Sequence, residues 1–369
     1  MKVNGVHYRS IWYDYDNEKV MIIDQRWLPH DFRIVPLEEL SDFATAIKDM
    51  WVRGAPLIGA TAAYGMAIAI IRDATDEGLR RAYDTLIATR PTAVNLRWAL
   101  DRVQNVLIHK ATSERREEAF KLAHRIAEDD VGINKGIGEH GLAIIKRLHK
   151  AKPNGEPVRI LTHCNAGWLA TVDWGTATSP MYHAHKADVP IHVWVDETRP
   201  RNQGAITAWE LQSEGISNTY ITDNAGGHLM QRGQVDMVIV GTDRTTAQGD
   251  VCNKIGTYLK ALAAHDNGVP FYVALPSPTI DWQISDGINE IPIEERSERE
   301  VTHILGKMSD TRICEVQVTP DKVVGGNPAF DVTPNRFVTG LITEKGVSEA
   351  SHEALSAMFP EMAKAKKND

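Results

Sequence analysis

Beyond residue 153 the chain repeats one pattern, in which a short run of β-branched or aromatic residues ends in a turn and is followed by a segment of helical period. The runs fall at 158–162, 191–195, 218–222, 237–240 and 271–274. Strands of this kind bury both faces, and a mostly parallel sheet with helices on each side is the arrangement that lets them do so. The expected fold is therefore α/β, with a C-terminal Rossmann-like, doubly wound, mostly parallel sheet. In open sheets of that type, ligands bind outside the carboxyl ends of the strands. No GxGxxG follows the first run and no Walker sequence is present, so neither a dinucleotide nor a P-loop nucleotide is supported.

The preceding part of the chain has a different period. Residues 8–36 alternate aromatic or branched residues with polar ones and carry Asp16-Asn17 at a turn, which reads as a small antiparallel sheet. Helical periodicity then runs from Leu37 to about Ala151. Candidate helices span 37–51, 56–72, 76–89, 95–111 and 113–150, the last expected to break or bend at Gly132, Gly136 and Gly138. Residues 152–157, Lys-Pro-Asn-Gly-Glu-Pro, have linker composition. The chain is accordingly read as a helical N-terminal domain with a small sheet, 1–152, and a Rossmann-like catalytic domain, 153–369. The most apolar stretch, 57–71, is too short for a membrane span and rich in Gly and Ala, as in a tightly packed buried helix. The charged tail 364–369 is expected to be solvated and frayed.

Composition narrows the partners. Lys and Arg number 41 against 49 Asp and Glu, a net charge of -8, so there is no broad basic field for nucleic acid, although local cations still suit a small anion. The three cysteines, Cys164, Cys252 and Cys314, are widely spaced and lack CxxC, which points away from zinc and disulfides and toward a reducing cytoplasm. The first residues have no apolar core of the signal-peptide kind, in keeping with that location.

Several stretches place polar groups where such a sheet would use them. In Ile239-Val240-Gly241-Thr242-Asp243-Arg244 a strand ends in glycine and offers a carboxylate just past its carboxyl end. Asn253 is read as the cap of a helix running to about Ala264, whose free N–H groups, with Lys254 beside them, suit a phosphate. His163-Cys164-Asn165 follows the first run and brings Cys164 to the same sheet edge as Asp243. Neighbouring side chains of an extended chain point to opposite faces, so His163 is not the expected activator of Cys164. A lone cysteine is also more often buried and inert than catalytic, and both readings stand at this point. Arg199 and Arg201 read as a solvated charge set with Asp196 and Glu197, while Gln203 opens a helix. Arg53-Gly54-Ala55-Pro56 is either a plain helix start or an anion cradle, and Arg97, near the next helix start, shares that ambiguity.

Taken jointly and in order, Arg53-Gly54-Ala55-Pro56-Leu57-Ile58-Gly59, Asn95-Leu96-Arg97-Trp98, Thr162-His163-Cys164-Asn165-Ala166-Gly167, the Glu197 to Gly204 loop, Gly241-Thr242-Asp243-Arg244 and Asn253-Lys254-Ile255-Gly256-Thr257-Tyr258 resemble the methylthioribose-1-phosphate isomerases. The resemblance runs from the first strand to about Gly346. It extends to the archaeal ribose-1,5-bisphosphate isomerases and the regulatory subunits of initiation factor 2B. It implies an aldose–ketose isomerisation of a sugar phosphate in methionine salvage, a homodimer, and neither metal nor organic cofactor. Cys164 and Asp243 match the family's catalytic pair, and Arg53, Gly54, Ala55, Arg97, Gln203, Asn253 and Lys254 match its substrate contacts. Thr242 stands where the family commonly has Ala, and 245–250 is a variant loop, which leaves the finer substrate preference open.

Phosphate on the anomeric oxygen blocks ordinary hemiacetal opening, so such an enzyme needs an acid at the ring oxygen. Asp243, kept protonated by burial, is the expected acid, and Cys164 the expected group at the migrating hydrogen. Trp12 and Tyr13 of the N-terminal sheet are expected to wall the methylthio group. The alternatives are an isomerase of 5-deoxyribose 1-phosphate or ribose 1,5-bisphosphate, or a non-catalytic regulatory subunit of the initiation factor 2B type.

Overall fold

In the computed structural model, which describes residues 1–91 and 93–365, the chain opens with a ribbon of β1 (Lys2–Val3) and β2 (Val6–His7). A three-stranded antiparallel sheet follows, made of β3 (Ile11–Asp14), β4 (Lys19–Ile23) and β5 (Ile34–Leu37). Five helices come next: α1 (Leu40–Lys48), α2 (Ala55–Arg72), α3 (Asp76–Ile87), α4 (Val94–Leu107) and α5 (Arg115–Lys150). By length and composition α2 could cross a membrane, but 78% of it is buried inside the protein's own core, where Gly59 and Gly65 let α4 and α1 approach. It is the central helix of the bundle. The charged tail beyond Ala365 lies outside the described residues.

The second half begins with β6 (Val158–Thr162), α6 (Ser179–Lys186), β7 (Ile191–Asp196), α7 (Gln203–Ser213), β8 (Asn218–Ile221), α8 (Ala225–Gln231) and β9 (Met237–Val240). A hairpin, β10 (Arg244–Thr246) and β11 (Val251–Lys254), then leaves the main sheet before α9 (Thr257–Asp266) and β12 (Phe271–Ala274) return to it. β13 (Ile280–Asp281) and β16 (Phe330–Thr333) flank that hairpin. Between them lie the short helices α10 (Gly287–Glu290) and α11 (Arg299–Thr302) and an outlying ribbon, β14 (His303–Lys307) and β15 (Ile313–Gln317). β17 (Gly340–Thr343), β18 (Gly346–Ser348), α12 (His352–Met358) and α13 (Pro360–Ala365) complete the chain.

The large sheet has the order β18-β17-β12-β9-β6-β7-β8 and is parallel except at β18. Alternate residues of its central strands feed two separate cores. Ile160, Met237, Ile239 and Tyr272 pack on one face with Tyr182 of α6 and Leu211 of α7. Leu161, Val238, Val240, Phe271 and Val273 pack on the other with Met230 of α8, Ala261 of α9 and Leu355 of α12. Both faces are dry, as the unbroken apolar runs require.

Three expectations are corrected here. α5 is one continuous helix of 36 residues, not a broken one. Its glycines serve packing: a methyl group at Gly138 would collide with Ser179 and His183, and one at Gly141 with Pro180, both on α6. Asn253 does not cap a helix; it lies inside β11, and α9 starts at Thr257 behind Gly256, whose φ of 100° suits glycine. Nor are Arg199 and Arg201 a solvated set with Asp196 and Glu197. Asp196 is fully buried against His163 and Lys260, while Arg199 donates to the Val301 carbonyl (2.7 Å) and Arg201 to Glu300 (2.8 Å).

The α5–α6 contact makes a stability prediction. Gly141→Ala is expected to destabilise the protein by about 1–3 kcal/mol through overpacking. Gly132→Ala, where the added methyl meets nothing within 4 Å, is expected to stabilise it by about 0.5–1 kcal/mol. Chemical denaturation of the two variants beside the parent measures both, and equal shifts would contradict the packing role.

Candidate active site

Numbered along the chain, the six parallel strands stand in the order 3-2-1-4-5-6, so the connections run outward in opposite directions from the neighbouring pair β6 and β9. The crevice that opens at the carboxyl ends of such a pair is where doubly wound sheets bind ligands. Cys164 follows β6 and Asp243 follows β9, and both line one pocket there with Arg53, Gly54, Ala55, Gln203, Asn253 and Lys254. The N-terminal bundle supplies Arg53 and the α2 amino end as the facing wall.

Local structure holds each group in place. The backbone at Cys164 is in the left-handed region, φ 70°, which costs a non-glycine residue about 1 kcal/mol. Two hydroxyls hold it there: its N–H donates to Thr198 Oγ1 (2.8 Å) and its carbonyl accepts from Thr207 Oγ1 (3.0 Å). Asp243 is anchored by its own N–H, which donates to the Cys252 carbonyl (2.9 Å). Gly54 has φ 92° and lies so close to Ala170 that any side chain would strike its carbonyl, so the turn that starts α2 admits only glycine. Asn253 Nδ2 donates to Thr257 Oγ1 (3.0 Å). Lys254 Nζ donates to the Ala329 carbonyl (2.7 Å) and sits 4.6 Å from the Phe330 ring centre. His163 turns away from Cys164: Nδ1 faces Asp196 (3.1 Å) and Nε2 faces the Ile255 carbonyl (2.8 Å).

Cys164 and Asp243 touch the pocket's space but are otherwise enclosed by protein, and that burial pushes both the thiol and the carboxyl up; Lys254, Arg53 and, for Asp243, Arg90 pull the other way. Burial likewise lowers Lys254 and Arg53, opposed by Cys164 and Asp243. The pocket thus favours the uncharged forms of the carboxyl and the thiol beside its cations. It suits an anionic ligand and proton delivery to it.

Two sequence expectations do not come together here. Arg97 is exposed on α4, where its charge acts on Tyr83, and it does not line the pocket. Arg90 lines it instead, with Nη2 donating to Glu294 Oε2 (3.1 Å) and Nε buried without a partner among the described residues. Gln203 Oε1 is unpartnered in the same sense, and polar atoms left so in a pocket are natural ligand contacts. The one sequence signal for Arg90 was its place in the loop before α4. Trp12 and Tyr13 pack elsewhere, against Tyr8 and Phe120, and the apolar wall is made by Met50, Ala166, Pro276 and Phe330.

Among the described residues one acidic group approaches metal-ligand spacing, His163, Asp196 and Asp223, with ligand atoms within 4.8 Å of one another. Its charge is already met by Lys260, 3.3 Å from Asp196, and the Asp223 carboxylate accepts the N–H groups of Thr198 and Arg199 at 2.8 Å each. The cluster ties the loops after β6 and β7 together.

The initiation factor 2 subunit family matches residues 51–350. A methylthioribose-1-phosphate isomerase of Paramagnetospirillum magneticum is 63% identical over 364 residues, covering 98% of this chain and 100% of that protein. The chain belongs to the methylthioribose-1-phosphate isomerases. Solved members of the wider family share the fold of this isomerase chain. The crystal structure of 5-methylthioribose 1-phosphate isomerase from Pyrococcus horikoshii has a TM-score of 0.82 at 38% identity, covering 96% of each chain. That of translation initiation factor eIF-2B subunit delta from A. fulgidus has 0.78 at 39% identity, covering 96% of this chain and 100% of that one.

The exchange of Arg97 for Arg90 can be tested without a substrate. Inorganic phosphate is expected to protect Cys164 from alkylation. Arg90→Ala should raise the half-protecting concentration about tenfold or more, the usual scale for losing a charged hydrogen bond, and Arg97→Ala should leave it unchanged. The reverse ranking would return Arg97 to the site.

Proposed function

We propose that this chain converts 5-methylthioribose 1-phosphate into 5-methylthioribulose 1-phosphate, the aldose–ketose step of methionine salvage. The observation that carries the reading is the placing of Asp243 and Cys164 at the ends of neighbouring strands, in one pocket with Arg53, Arg90 and Lys254. The near-complete span of identity with the P. magneticum isomerase supports it.

In this reading the phosphate dianion lies among Arg53, Arg90, Lys254 and the N–H groups of Gly54 and Ala55, where the start of α2 adds its partial positive charge. Gln203 and Asn253 hold sugar hydroxyls. Asp243 gives its proton to the ring oxygen as the bond from that oxygen to C1 breaks, leaving C1 electron-poor. Hydrogen then moves from C2 to C1. The C2 hydroxyl returns a proton to the Asp243 carboxylate as the C2 carbonyl forms, so atoms and charge balance and the acid is regenerated. The cations keep phosphate from departing meanwhile. Burial keeps the Cys164 thiol protonated at rest, which favours direct hydride transfer beside a positioned thiol over removal of the C2 proton by a thiolate. Substrate carrying deuterium at C2 separates the routes: retention at C1 supports the shift, and washout into solvent supports proton carriage by Cys164.

Asp243→Asn and Cys164→Ser are each expected to lower kcat by about 10²-fold or more with smaller changes in KM. Because burial raises Asp243, the acid form should persist above the ordinary carboxylate range, and kcat should fall as pH climbs through that raised value. A kcat that instead rises across the same range would remove Asp243 from the acid role.

The likeness to eIF-2B subunit delta is the specific reason for a second reading, a regulatory protein without turnover. Assay of the purified protein with the methylthio sugar phosphate, ribose 1,5-bisphosphate and 5-deoxyribose 1-phosphate decides between them. Preference for the first, lost in Asp243→Asn, is the expected result; no turnover of any of the three favours the regulatory reading.

We further infer a cytoplasmic homodimer acting without metal or organic cofactor, whose chain divides near residue 153 into units 1–152 and 153–369. Light scattering, activity after exhaustive chelation and limited proteolysis test these points in turn.

A further inference from the structure

Behind Arg53 lies a buried carboxyl that the chemistry above does not use. Glu210, on the second turn of α7, is fully buried. Its Oε1 accepts the Leu169 N–H (2.7 Å) and its Oε2 accepts Asn165 Nδ2 (2.6 Å). The same Asn165 nitrogen donates to Thr207 Oγ1 (3.0 Å), a hydroxyl whose proton is engaged by the Cys164 carbonyl. Both Asn165 amide protons therefore point at acceptors, and its Oδ1 is left to accept from Arg53 Nη2 (3.0 Å). Gly167 makes room for this arrangement, since a side chain there would overlap the Glu210 carboxylate.

An amide has one donor end and one acceptor end, and here a carboxylate decides which end faces the guanidinium. We propose that Glu210 is a positioning residue which locks the Asn165 amide with its oxygen toward Arg53, and thereby aims Arg53 at the phosphate of the substrate. The inference rests on the reading that Arg53 grips that phosphate. Arg53 is almost wholly buried, and a buried guanidinium without a fixed acceptor would lose both orientation and charge compensation. Burial raises Glu210 to about 7, and the Leu169 N–H, Asn165 and Arg53 oppose that rise by favouring the carboxylate.

In Glu210→Gln the new amide must still offer its oxygen to the Leu169 N–H, which turns its nitrogen toward Asn165 Nδ2. Two donors then face each other. The Asn165 amide rotates to relieve this and presents its own nitrogen to Arg53, repelling the guanidinium. Steady-state kinetics of E210Q should show KM for 5-methylthioribose 1-phosphate, and the inhibition constant of inorganic phosphate, both raised about tenfold or more, with kcat within about threefold. The double variant N165D/E210Q should recover most of the loss, because the carboxylate now at position 165 accepts from both the new amide and Arg53. N165D alone, with two carboxylates face to face, should be impaired.

A purely structural role for Glu210 would lower thermal stability without the coupled rise in KM and phosphate inhibition constant, and would show no rescue. If E210Q does not fold, the comparison of N165D with N165D/E210Q carries the same test. Absence of rescue, or a loss confined to kcat, overturns the proposal. The reading beneath it is checked separately with Arg53→Ala: unchanged phosphate inhibition there would refute the grip itself, whereas a large effect there with none in E210Q refutes only the role of Glu210.

Discussion

The structure depends on one topological constraint, the reversal of connection direction between β6 and β9. Helices following β6 and β9 cover opposite faces of the sheet, so no crossover closes the space beyond the ends of these two strands. Two loops that are distant in sequence, one with Cys164 and one with Asp243, are brought side by side by strand pairing alone. The hydrophobic burial that drives the sheet together therefore also assembles the chemistry. The N-terminal bundle only has to present the amino end of α2 to the gap, which Gly54 permits by its close approach to Ala170.

That constraint explains what could be read from residues alone. Cys164 and Asp243 were legible because each directly follows an apolar run, and a strand end is a strong local signal. Arg53, Gly54 and Ala55 were legible for a similar reason, as the start of a helix marked by Pro56. Asn253 was misread as a cap because Val251–Lys254 is a short strand of a side sheet whose partners, β10 and β16, include one nearly eighty residues away. No local pattern shows that pairing. Arg90 was passed over for Arg97 because both precede or open the same helix, and only the orientation of α4 in the bundle separates a pocket residue from an exposed one.

The glycines of α5 carry a similar lesson. Helix propensity reads Gly132, Gly136 and Gly138 as weak points, yet close contact between α5 and α6 makes Gly138 and Gly141 necessary while Gly132 stays in open space. A cost of about 1 kcal/mol per glycine in a helix is readily outweighed by tertiary packing. The same holds for charge: Asp196 reads as a solvated acid in the sequence, yet it is interior with its Oδ2 set against His163 and Lys260, and Glu210 is likewise interior, held by the Leu169 N–H and Asn165.

The length of α5 has a mechanical consequence. Its first half contributes Leu122, Ala123 and Ile126 to the bundle core, and its second half contributes Ile137, Ile144 and Ile145 to the core beneath the parallel sheet. At 1.5 Å per residue such a helix is a rod roughly 50 Å long, embedded at both ends. A swing of one half of the molecule against the other would have to bend that rod or tear one of two cores. The stretch from Ile291 to Val301, by contrast, crosses from Arg90 to Arg201 on a chain of ion pairs through Glu294, Arg296 and Glu300.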